Sequence, residues 1–598
     1  MLIAGLFGAL TNLNAAIYEV GPGQSLATPS EVPWESLAAG DLVRIHWRAT
    51  PYANKWVVNA AGTGEAPVIV QGVPGPNGEL PVIDGNSATT RLALSYWSEQ
   101  RGVIKVGGSS IPNNAQTSHI VIENLEIRGA RPPYSFTDDA GAVQNYPNNA
   151  AAVFVESGDH ITIRNCVLRD CGNGLFVAAA SSDVMVEGNH IFGNGNVGSI
   201  YEHNSYTAAA GITFQFNRYG PLRTGAGGNN LKDRSAGTVI RYNWIESGNR
   251  QLDLVDAEDS VALQQDPRYR STFVYGNVLI EPDDAGNRQI IHYGGDSGNV
   301  PTYRKGTLYL HHNTIVSTRV GRTTLLRLST NDESADCRNN IIYVTDNGNQ
   351  LELISDAGTV TLNHNWLKPG WVNSFASGYV GSVTAGATSI TGTTPGFINF
   401  ALQNFRLARG SACIDTGTTL HAATLNEHAP VAEYRKHRLG DVRRPFATPD
   451  LGAFEFAPFA AWQGEQFGED AENELVSAEI ADPDGDGLIN LLEYAFVLDP
   501  QAASPIGLPR AVRFTHAGDD YLAVEFRRPP APTGLIYTTR VTGSFEEWWP
   551  GSEYADFVAP TTTAHTSDTS DDNWTRVRLN EPISSQPHRF IAVEVRRD

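Results

Sequence analysis

The sequence predicts an all-β protein: a parallel β-helix followed by a calcium-binding loop and a small β-sandwich domain. Three observations predict this fold. A short alternating pattern that ends in asparagine recurs through the first two thirds of the chain, glycine is abundant at 58 residues, and the composition changes after Phe456. Frequent glycine and β-branched residues favour short strands joined by tight turns.

The repeat carries the prediction of a β-helix. It reads apolar, any, apolar, any, Asn, and its spacing varies from 24 residues (165 to 189) to 41 residues (124 to 165). A constant local pattern with variable spacing indicates a fixed coil with loops of different length at its corners. We expect the asparagines to adopt a left-handed backbone and to stack as a ladder. A β-propeller is the rival, but its blades need a longer and steadier period. The recurring asparagines are Asn124, Asn165, Asn189, Asn217, Asn243, Asn277, Asn313, Asn340 and Asn365.

The bulk properties limit the class of protein. A chain of 598 residues is long enough for two or more domains, and a net charge of −22 argues against nucleic acid as a partner. Residues 1–16 are apolar and end in Ala15 and Ala16, as a signal peptide with a truncated start does. We therefore expect a secreted, periplasmic or cell-surface protein, the alternative being a disordered leader. No later stretch approaches the ~20 apolar residues of a membrane span.

Four cysteines are too few for a disulfide framework. We expect them to be small buried residues, with a bridge between the first two left open. They are Cys166, Cys171, Cys337 and Cys413.

A charged coil, "GGNNLKDRSAG", supplies the candidate site. If Leu231 points into the β-helix, Lys232 points out, and alternation puts Arg234 on the same face. The next two coils, "RQLDL" and "RQIIHYGG", bring Asp253 and His292 to the height of Lys232. The preceding coil brings His203 and Tyr206 within reach, with a register uncertain by one residue. The alternative is an ordinary solvated face.

This set of side chains suits removal of a proton next to a carboxylate. Elimination from a uronate polysaccharide needs a base, a cation at the carboxylate and a proton donor for the leaving oxygen. We assign Lys232 as base, provided that neighbouring cations depress its pKa, and Arg234 as the carboxylate ligand. Tyr206 and His203 are alternative bases or donors. Arg250 is expected to bind a neighbouring sugar acid.

Charge supports a polyanionic substrate in this region. Six cations against two acids between residues 217 and 251 give a local balance of +4, and Arg223 belongs to that set. A basic patch in an acidic chain is typical of a polyanion site. Tyr201 is available for sugar stacking. The six cations are Arg218, Arg223, Lys232, Arg234, Arg241 and Arg250.

Three segments resemble known families. "PWESLAAGDLVRI" near the start and "RRPFATPDLGAFEF" near residue 450 resemble the opening and closing segments of secreted bacterial right-handed parallel β-helix proteins. "NNLKDRSAGTVIRYN" is similar to a segment of the alginate and chondroitin lyase β-helix family, which implies that Lys232 acts as base. In that family the next coil brings an arginine, whereas Asp253 stands here, so the donor assignment is open.

Two other functions stay open. A glycoside hydrolase on the same scaffold would use a carboxylate pair such as Asp253 and Asp256. A glycan-binding protein without catalysis would expose aromatic side chains along one groove. Asp253, Asp256, Glu258 and Asp259 are also candidates for a Ca²⁺ site beside the groove, against a plain polar loop. We expect a monomer that acts on a polysaccharide.

The chain after Phe456 contains a calcium motif. "DPDGDGLINLLE" places carboxylates at alternate positions, a glycine at the sharp turn and a final Glu, as a twelve-residue Ca²⁺ loop requires. We predict a β-helix over 17–458, a linker with this loop over 459–507 and a β-sandwich over 508–598. The last two resemble modules appended to secreted bacterial enzymes, with a role in sorting, spacing or glycan binding. The predicted ligands are Asp482, Asp484, Asp486, Leu488 through its carbonyl, Asn490 and Glu493.

Overall fold

The computed structural model describes residues 15–114, 116–386, 388–503, 507–571, 574–585 and 589–598. The predicted signal segment lies outside the described residues except for Ala15 and Ala16. The chain divides into two compact units that interleave along the sequence. The first comprises residues up to 394, 416–444 and 450–454, and the second comprises 395–415, 445–449 and 455–598. In the part of the chain that the structure describes, no helix is both long and apolar enough to cross a bilayer.

The first unit is a parallel β-helix whose coils add strands to three ladders. Neighbouring strands in each ladder are parallel, and apolar side chains alternate with outward-facing ones, as the repeat predicts. The first ladder contains Ile17–Val20, Leu42–His46, Val68–Val73, Ser118–Glu123, the second halves of Ala151–Arg164 and Asn173–Glu187, Ala210–Gln215, Ala236–Arg241, Ser271–Tyr275, Thr307–His311, Ser334–Arg338, Thr359–Asn363 and Ser382–Ala385.

The other two ladders run alongside the first. The second contains Val82–Asp84, Glu126–Arg128, Val167–Arg169, His190–Phe192, Arg218–Tyr219, Trp244–Glu246, Val278–Glu281, Thr314–Ser317, Ile341–Val344, Trp366–Leu367 and Ile390–Thr391. The third contains Asn54–Val58, Gly102–Val106, the first halves of Ala151–Arg164 and Asn173–Glu187, Ser205–Thr207, Leu231–Asp233, Leu252–Leu254, Gln289–Tyr293, Thr323–Leu328 and Leu351–Ile354.

Short elements decorate this unit. Small strands are Ala88–Thr90, Ser95–Tyr96, Ser109–Ile111, Ser135–Thr137 and Val143–Asn145, and helical turns are Pro29–Glu31, Trp34–Ser36, Glu99–Arg101, Val261–Gln265, Pro267–Arg270 and Val300–Thr302. The hairpin Ala432–Arg435 and Leu439–Val442 lies over the first ladder, where the Val431 N–H donates to the Tyr242 hydroxyl at 2.9 Å. The hairpin covers part of the first ladder.

An asparagine ladder runs through the β-helix, with one correction to the prediction. Each amide oxygen from Asn189 to Asn365 accepts from the preceding coil at 2.9–3.0 Å, as in the pair Asn217 and Asn243. The left-handed residue is the one before the asparagine, such as Tyr242 with φ 54°. Asn165 is itself left-handed, with φ 54°, and Cys166 takes the ladder position by donating to Asn189. The predicted left-handed backbone is thus confirmed at Asn124 and Asn165, with φ 57° and 54°, and wrong from Asn189 onward. The predicted ladder is confirmed from Asn189 to Asn365, and at Asn165 it is wrong by one residue.

The four cysteines are buried free thiols, which confirms the main prediction and excludes the Cys166–Cys171 bridge. Burial raises the pKa of both thiols to about 12.

The second unit contains two antiparallel sheets and three α-helices among its described residues. One sheet has the order Arg510–His516, Asp519–Phe526, Thr575–Leu579, Thr566–Asp568, and the other Trp549–Tyr554, Leu535–Thr542, Phe590–Arg597. Helices Pro458–Phe467 and Asn490–Phe496 share a core with both sheets, while Glu474–Ser477 and the turn Gly468–Glu472 connect them. The hairpin Phe397–Asn399 and Asn404–Leu407 completes the unit. The predicted small β-sandwich is present.

Candidate functional site

The predicted charged coil forms one row on the outer face of the third ladder. Tyr206 pairs in register with Lys232, Lys232 with Asp253, Asp253 with His292, and His292 with Arg327. Their strand neighbours Leu231, Leu252 and Ile291 are fully buried, which puts the row outside. The predicted alignment of Lys232, Asp253 and His292 is confirmed, and the uncertain register resolves with Tyr206 beside Lys232.

The aspartate between the two cations points inward. Asp233 is fully buried and accepts hydrogen bonds from Thr207 and Thr238 at 2.8 and 2.6 Å. Arg304, also fully buried, lies 3.3 Å from the Asp233 carboxylate and donates to the Ser235 carbonyl at 2.7 Å. Asp233 thus holds the strand that presents Lys232 and Arg234.

Lys232 is a paired cation. Its Nζ contacts the Asp296 carboxylate and lies 3.4 Å from Asp253 Oδ2. Burial opposes the charged form, but these two carboxylates raise the pKa of Lys232 above its usual value. The expectation of a depressed pKa, on which the role of Lys232 as free base depended, was wrong because the nearest charges are negative.

Four partners surround the guanidinium of Arg234, one of them the Asp256 carbonyl, to which Nη1 donates. Its Nε donates to the Tyr206 hydroxyl oxygen at 3.0 Å, its Nη2 lies 3.0 Å from Asp296 Oδ1, and its Nη1 lies 3.4 Å from Glu258 Oε1. The Asp296 carboxylate therefore bridges Arg234 and Lys232, beside the phenol oxygen of Tyr206. We call the position between Lys232 and Arg234 the carboxylate seat, because it binds a carboxylate beside a hydroxyl oxygen that can carry a proton.

Asp253 and His292 form a buried dyad. His292 Nδ1 lies 2.8 Å from Asp253 Oδ1, and its Nε2 lies 3.0 Å from Ser329 Oγ. Although burial opposes it, the contacts with His292 and Lys232 hold the pKa of Asp253 well below its usual value. Burial lowers the pKa of His292. The dyad is thus an ionised aspartate that orients a neutral imidazole.

Asp256 anchors the loop that carries Asp296. Its carboxylate accepts from the backbone N–H of Asp296 at 2.9 Å and from the hydroxyls of Ser297 and Thr302 at 2.5 and 2.6 Å. Both Asp256 oxygens accept hydrogen bonds, and Asp253 and Asp256, the example of a hydrolase pair, are both buried.

His203 lies beneath the row and is closed to substrate. It is 2% exposed, its Nδ1 accepts from the backbone N–H of Asn229 at 2.8 Å, and its ring meets that of Tyr206 edge-on at 5.4 Å. Burial and the charge of Lys232 lower the pKa of His203 to about 3. His203 is thus a buried imidazole packed against Tyr206.

The remaining predicted site residues, Arg223, Arg250 and Tyr201, do not form one cluster. Arg223 pairs with Asp170 at 2.7 Å and donates to the Gly195 carbonyl, so it belongs to a turn rather than to the row. Arg250 donates to Gln289 and lies 3.8 Å from Asp253. Tyr201 is 75% exposed on the loop before His203.

The positive patch that the sequence indicated does not exist as one surface. Arg218 lies on the second ladder and Arg241 on the first, where it donates to Gln215 at 2.8 Å. The cations that do face the row are paired with Asp253, Glu258 and Asp296, which lie outside residues 217–251. Linear counting failed because residues adjacent in sequence face different sides of the coil.

Sequence reasoning missed Asp296 and gave Glu258 only a metal role. Asp296 follows the glycine pair in "HYGGDSG", directly after the strand that carries His292. A glycine pair at a strand end, with φ 132° at Gly294, is the signal that the chain turns sharply there. That turn could have placed the next carboxylate above the row.

The predicted calcium loop has the form of a cation site. The carboxylates of Asp482, Asp484 and Asp486 approach within 4.8 Å of one another, and Asp484 Oδ2 and Glu493 Oε2 are buried without a hydrogen-bond partner. Burial and the three aspartates raise the pKa of Glu493 to about 7. Converging carboxylates with unpaired oxygens fit Ca²⁺. The Asn490 amide nitrogen donates to the Val476 and Ala478 carbonyls, and its Oδ1 is buried without a hydrogen-bond partner.

Comparisons with known proteins bear on the fold. A family model described as "Right handed beta helix region" matches residues 96–266. No curated protein matches the chain. A crystal structure of DFA-IIIase from Arthrobacter chlorophenolicus A6, without its lid and in complex with GF2, is similar over 60% of this chain and 85% of that chain, with 9% identity and a TM-score of 0.32. At that score the likeness carries no argument about activity. The chain is an all-β protein with a right-handed parallel β-helix.

Proposed function

We propose that the protein is a polysaccharide lyase that cleaves a uronate-containing chain by β-elimination at the outer row. The observation that carries the proposal is the carboxylate seat between Lys232 and Arg234, beside the Tyr206 hydroxyl. A uronate bound by its carboxylate in this seat would place its C5 proton near the phenol oxygen. Elimination requires this pairing of a neutralised carboxylate with an adjacent base.

The steps assign one role to each residue. Tyr206, as phenolate, takes the C5 proton, the C5–H electrons form the C4–C5 double bond, and the C4–O bond breaks. The leaving oxygen takes the proton back from the Tyr206 hydroxyl, so that no other reactant is consumed. Lys232 and Arg234 hold the carboxylate while negative charge builds on it. The Arg234 guanidinium also donates to the phenol oxygen that exchanges the proton.

A hydrolase is the second candidate, and one observation favours it. Asp296 and Glu258 contact the two terminal nitrogens of the same guanidinium, and their side chains are 29% and 35% exposed. Two accessible carboxylates near one cation are the arrangement that glycoside hydrolysis uses. This pair replaces the predicted pair of Asp253 and Asp256.

Ultraviolet absorbance separates these two reactions. The intact protein is incubated with a panel of uronate polysaccharides, with and without Ca²⁺, while absorbance and reducing ends are both recorded. Elimination raises the absorbance because the new C=C bond is conjugated to a carboxylate. New reducing ends without absorbance would reject the lyase and support the hydrolase.

Asp296→Ala gives the two candidates opposite outcomes. If Asp296 only occupies the position of the substrate carboxylate, its removal raises the fraction of molecules that can bind substrate and so lowers KM. The decrease is about tenfold if that position is free in one molecule in ten of the unsubstituted protein. The value of kcat then stays the same. A loss of kcat without a change in melting temperature would make Asp296 catalytic and contradict the lyase assignment. Ser297→Ala is the control for disturbance of the loop.

We also propose that the loop 482–493 binds Ca²⁺ as a structural ion. The ion would be held by Asp482, Asp484, Asp486, the Leu488 carbonyl, Asn490 and Glu493, and it would neutralise the carboxylate charges. Its supporting observation is the pair of unpaired buried oxygens on Asp484 and Glu493.

Calcium removal is expected to make the stability of the second unit depend on pH. The pKa of Glu493 is raised in the folded metal-free loop, so the folded state binds more protons than the unfolded state between pH 4.5 and about 7. Stability therefore falls as pH rises through this window, and Ca²⁺ restores it at pH 8. Calorimetry with EDTA and with Ca²⁺ measures this. The same melting temperature in both would contradict the site, and Glu493→Gln should abolish the calcium response.

A further inference from the structure

The row continues beyond Tyr206 as a line of aromatic rings. Phe176 pairs in register with Tyr206, and Phe154 with Phe176. The ring centroids are 5.2 Å apart between Phe176 and Tyr206, and 5.4 Å apart between Phe154 and Phe176. These separations follow the strand spacing of roughly 4.8 Å, so the rings advance one coil at a time along the helix axis.

An arginine that forms no ion pair within 4.0 Å among the described residues lies over these rings. The Arg101 guanidinium is 4.7 Å from the Phe176 ring centroid and 5.1 Å from that of Phe154. Its Nε is buried and has no hydrogen-bond partner. Burial lowers the pKa of Arg101, which the nearby Glu156 and Tyr206 oppose. A half-buried cation with an unused donor is stabilised by an anion that reaches it.

A second such arginine stands at the other end of the row. Arg327 is exposed and follows His292 in register. Among the described residues, neither Arg101 nor Arg327 forms an ion pair within 4.0 Å. Lys232, Arg234 and Arg250, in contrast, all lie within 4.0 Å of Asp253 or Asp296. The two arginines that form no close ion pair thus lie at the two ends of the row, not at its centre.

We infer that the outer row is the floor of a groove that binds an acidic oligosaccharide along the helix axis, with Arg101 and Arg327 binding sugar carboxylates on either side of Tyr206. From Phe176 to Arg327 the row spans five coil steps of roughly 4.8 Å, about 24 Å in all. That length holds several sugar units. The inference deepens the proposed function and rests on it for the identity of the ligand as a uronate chain.

An exposed aromatic side chain extends the groove past Phe154. Trp97 is 54% exposed, and Lys105, which pairs in register with Phe154, places its Nζ 5.3 Å from the Trp97 ring. Lys105 is itself buried and paired with Glu156 at 2.8 Å, so it is the exposed ring face of Trp97 that suits a sugar ring. The groove then begins at Trp97 and ends at Arg327.

Binding measurements test the groove without depending on turnover. We would titrate oligouronates of increasing length into the full chain carrying Tyr206→Phe, alone and combined with Arg101→Gln or Arg327→Gln, by calorimetry. Each added change is expected to weaken binding of the longer oligomers about tenfold, since a charge-assisted hydrogen bond is lost. The monomer should bind alike in all variants. Arg270→Gln, an exposed arginine away from the row, is the control.

The outcomes are distinguishable. Affinity unchanged by both substitutions, with melting temperatures preserved, would overturn the groove. An equal loss for neutral oligosaccharides of the same length would overturn the assignment to acidic sugars. Binding that depends on Arg101 and Arg327, together with no absorbance change in the active protein, would support the groove and reject elimination.

Discussion

Replacing Tyr206 with Phe is expected to lower kcat by about 10²–10⁴-fold, the range for removal of a general acid–base group. The phenylalanine keeps the edge-on packing against Phe176 and His203, whose ring centroids lie 5.2 and 5.4 Å away. Only the oxygen that accepts from Arg234 is removed. KM should change little, because Lys232 and Arg234 still hold the substrate carboxylate. Absorbance kinetics on the responsive polysaccharide measures both constants.

The control for Tyr206→Phe is Tyr309→Phe. Tyr309 lies on the first ladder, where its ring stacks on Phe273 at 5.2 Å, and loss of its hydroxyl should leave kcat unchanged. An unchanged kcat in Tyr206→Phe would remove Tyr206 from the mechanism. A lower melting temperature in that variant would assign the residue a structural role instead.

Arg304→Met is expected to lower the free energy of unfolding of the β-helix by about 3–5 kcal/mol. The guanidinium is fully buried and donates to the carbonyls of Val255 and Ser235 at 2.9 and 2.7 Å. Its loss leaves the Asp233 carboxylate as an unpaired buried charge. Urea unfolding followed by tryptophan fluorescence measures the change.

The double variant Asp233→Leu with Arg304→Met separates the lost ion pair from the lost volume. Removing both charges should recover part of the stability, because no charge is then buried without a partner. A double variant less stable than Arg304→Met alone would show that Asp233 stabilises the strand mainly through Thr207 and Thr238.

The register of the row could be predicted because it is periodic. Alternation fixes which residues of "NLKDRS" face out, and the repeat fixes which residue of the next coil lies beside Lys232. At Asn165 the predicted ladder position was wrong by one residue. In "RNC" (164–166) the left-handed residue is the asparagine itself, whereas in "EGN" (187–189) it is the glycine before the asparagine. There the pattern of letters stays similar while the backbone conformation moves by one position.

The partners of the row could not be predicted in the same way. Asp296 sits on a loop outside the period, and Arg101 comes from a coil more than a hundred residues earlier in the chain. Whether Lys232 is a base depends on which charges are nearest in space. Two carboxylates raise its pKa, although the neighbours in sequence include arginine. Electrostatics therefore needed the three-dimensional arrangement.

The asparagine ladder has a consequence for how this protein can vary. Successive ladder residues are 26, 34, 36 and 27 positions apart from Asn217 to Asn340, yet each makes the same pair of bonds. The two longest intervals carry Glu258 and Asp296. Loops of different length are therefore inserted between consecutive asparagines of the ladder, whose hydrogen bonds stay the same. A new loop can be grafted at either interval without moving Lys232 relative to Tyr206. The loops beside the row, and with them the specificity, can thus change while the strands of the β-helix keep their register.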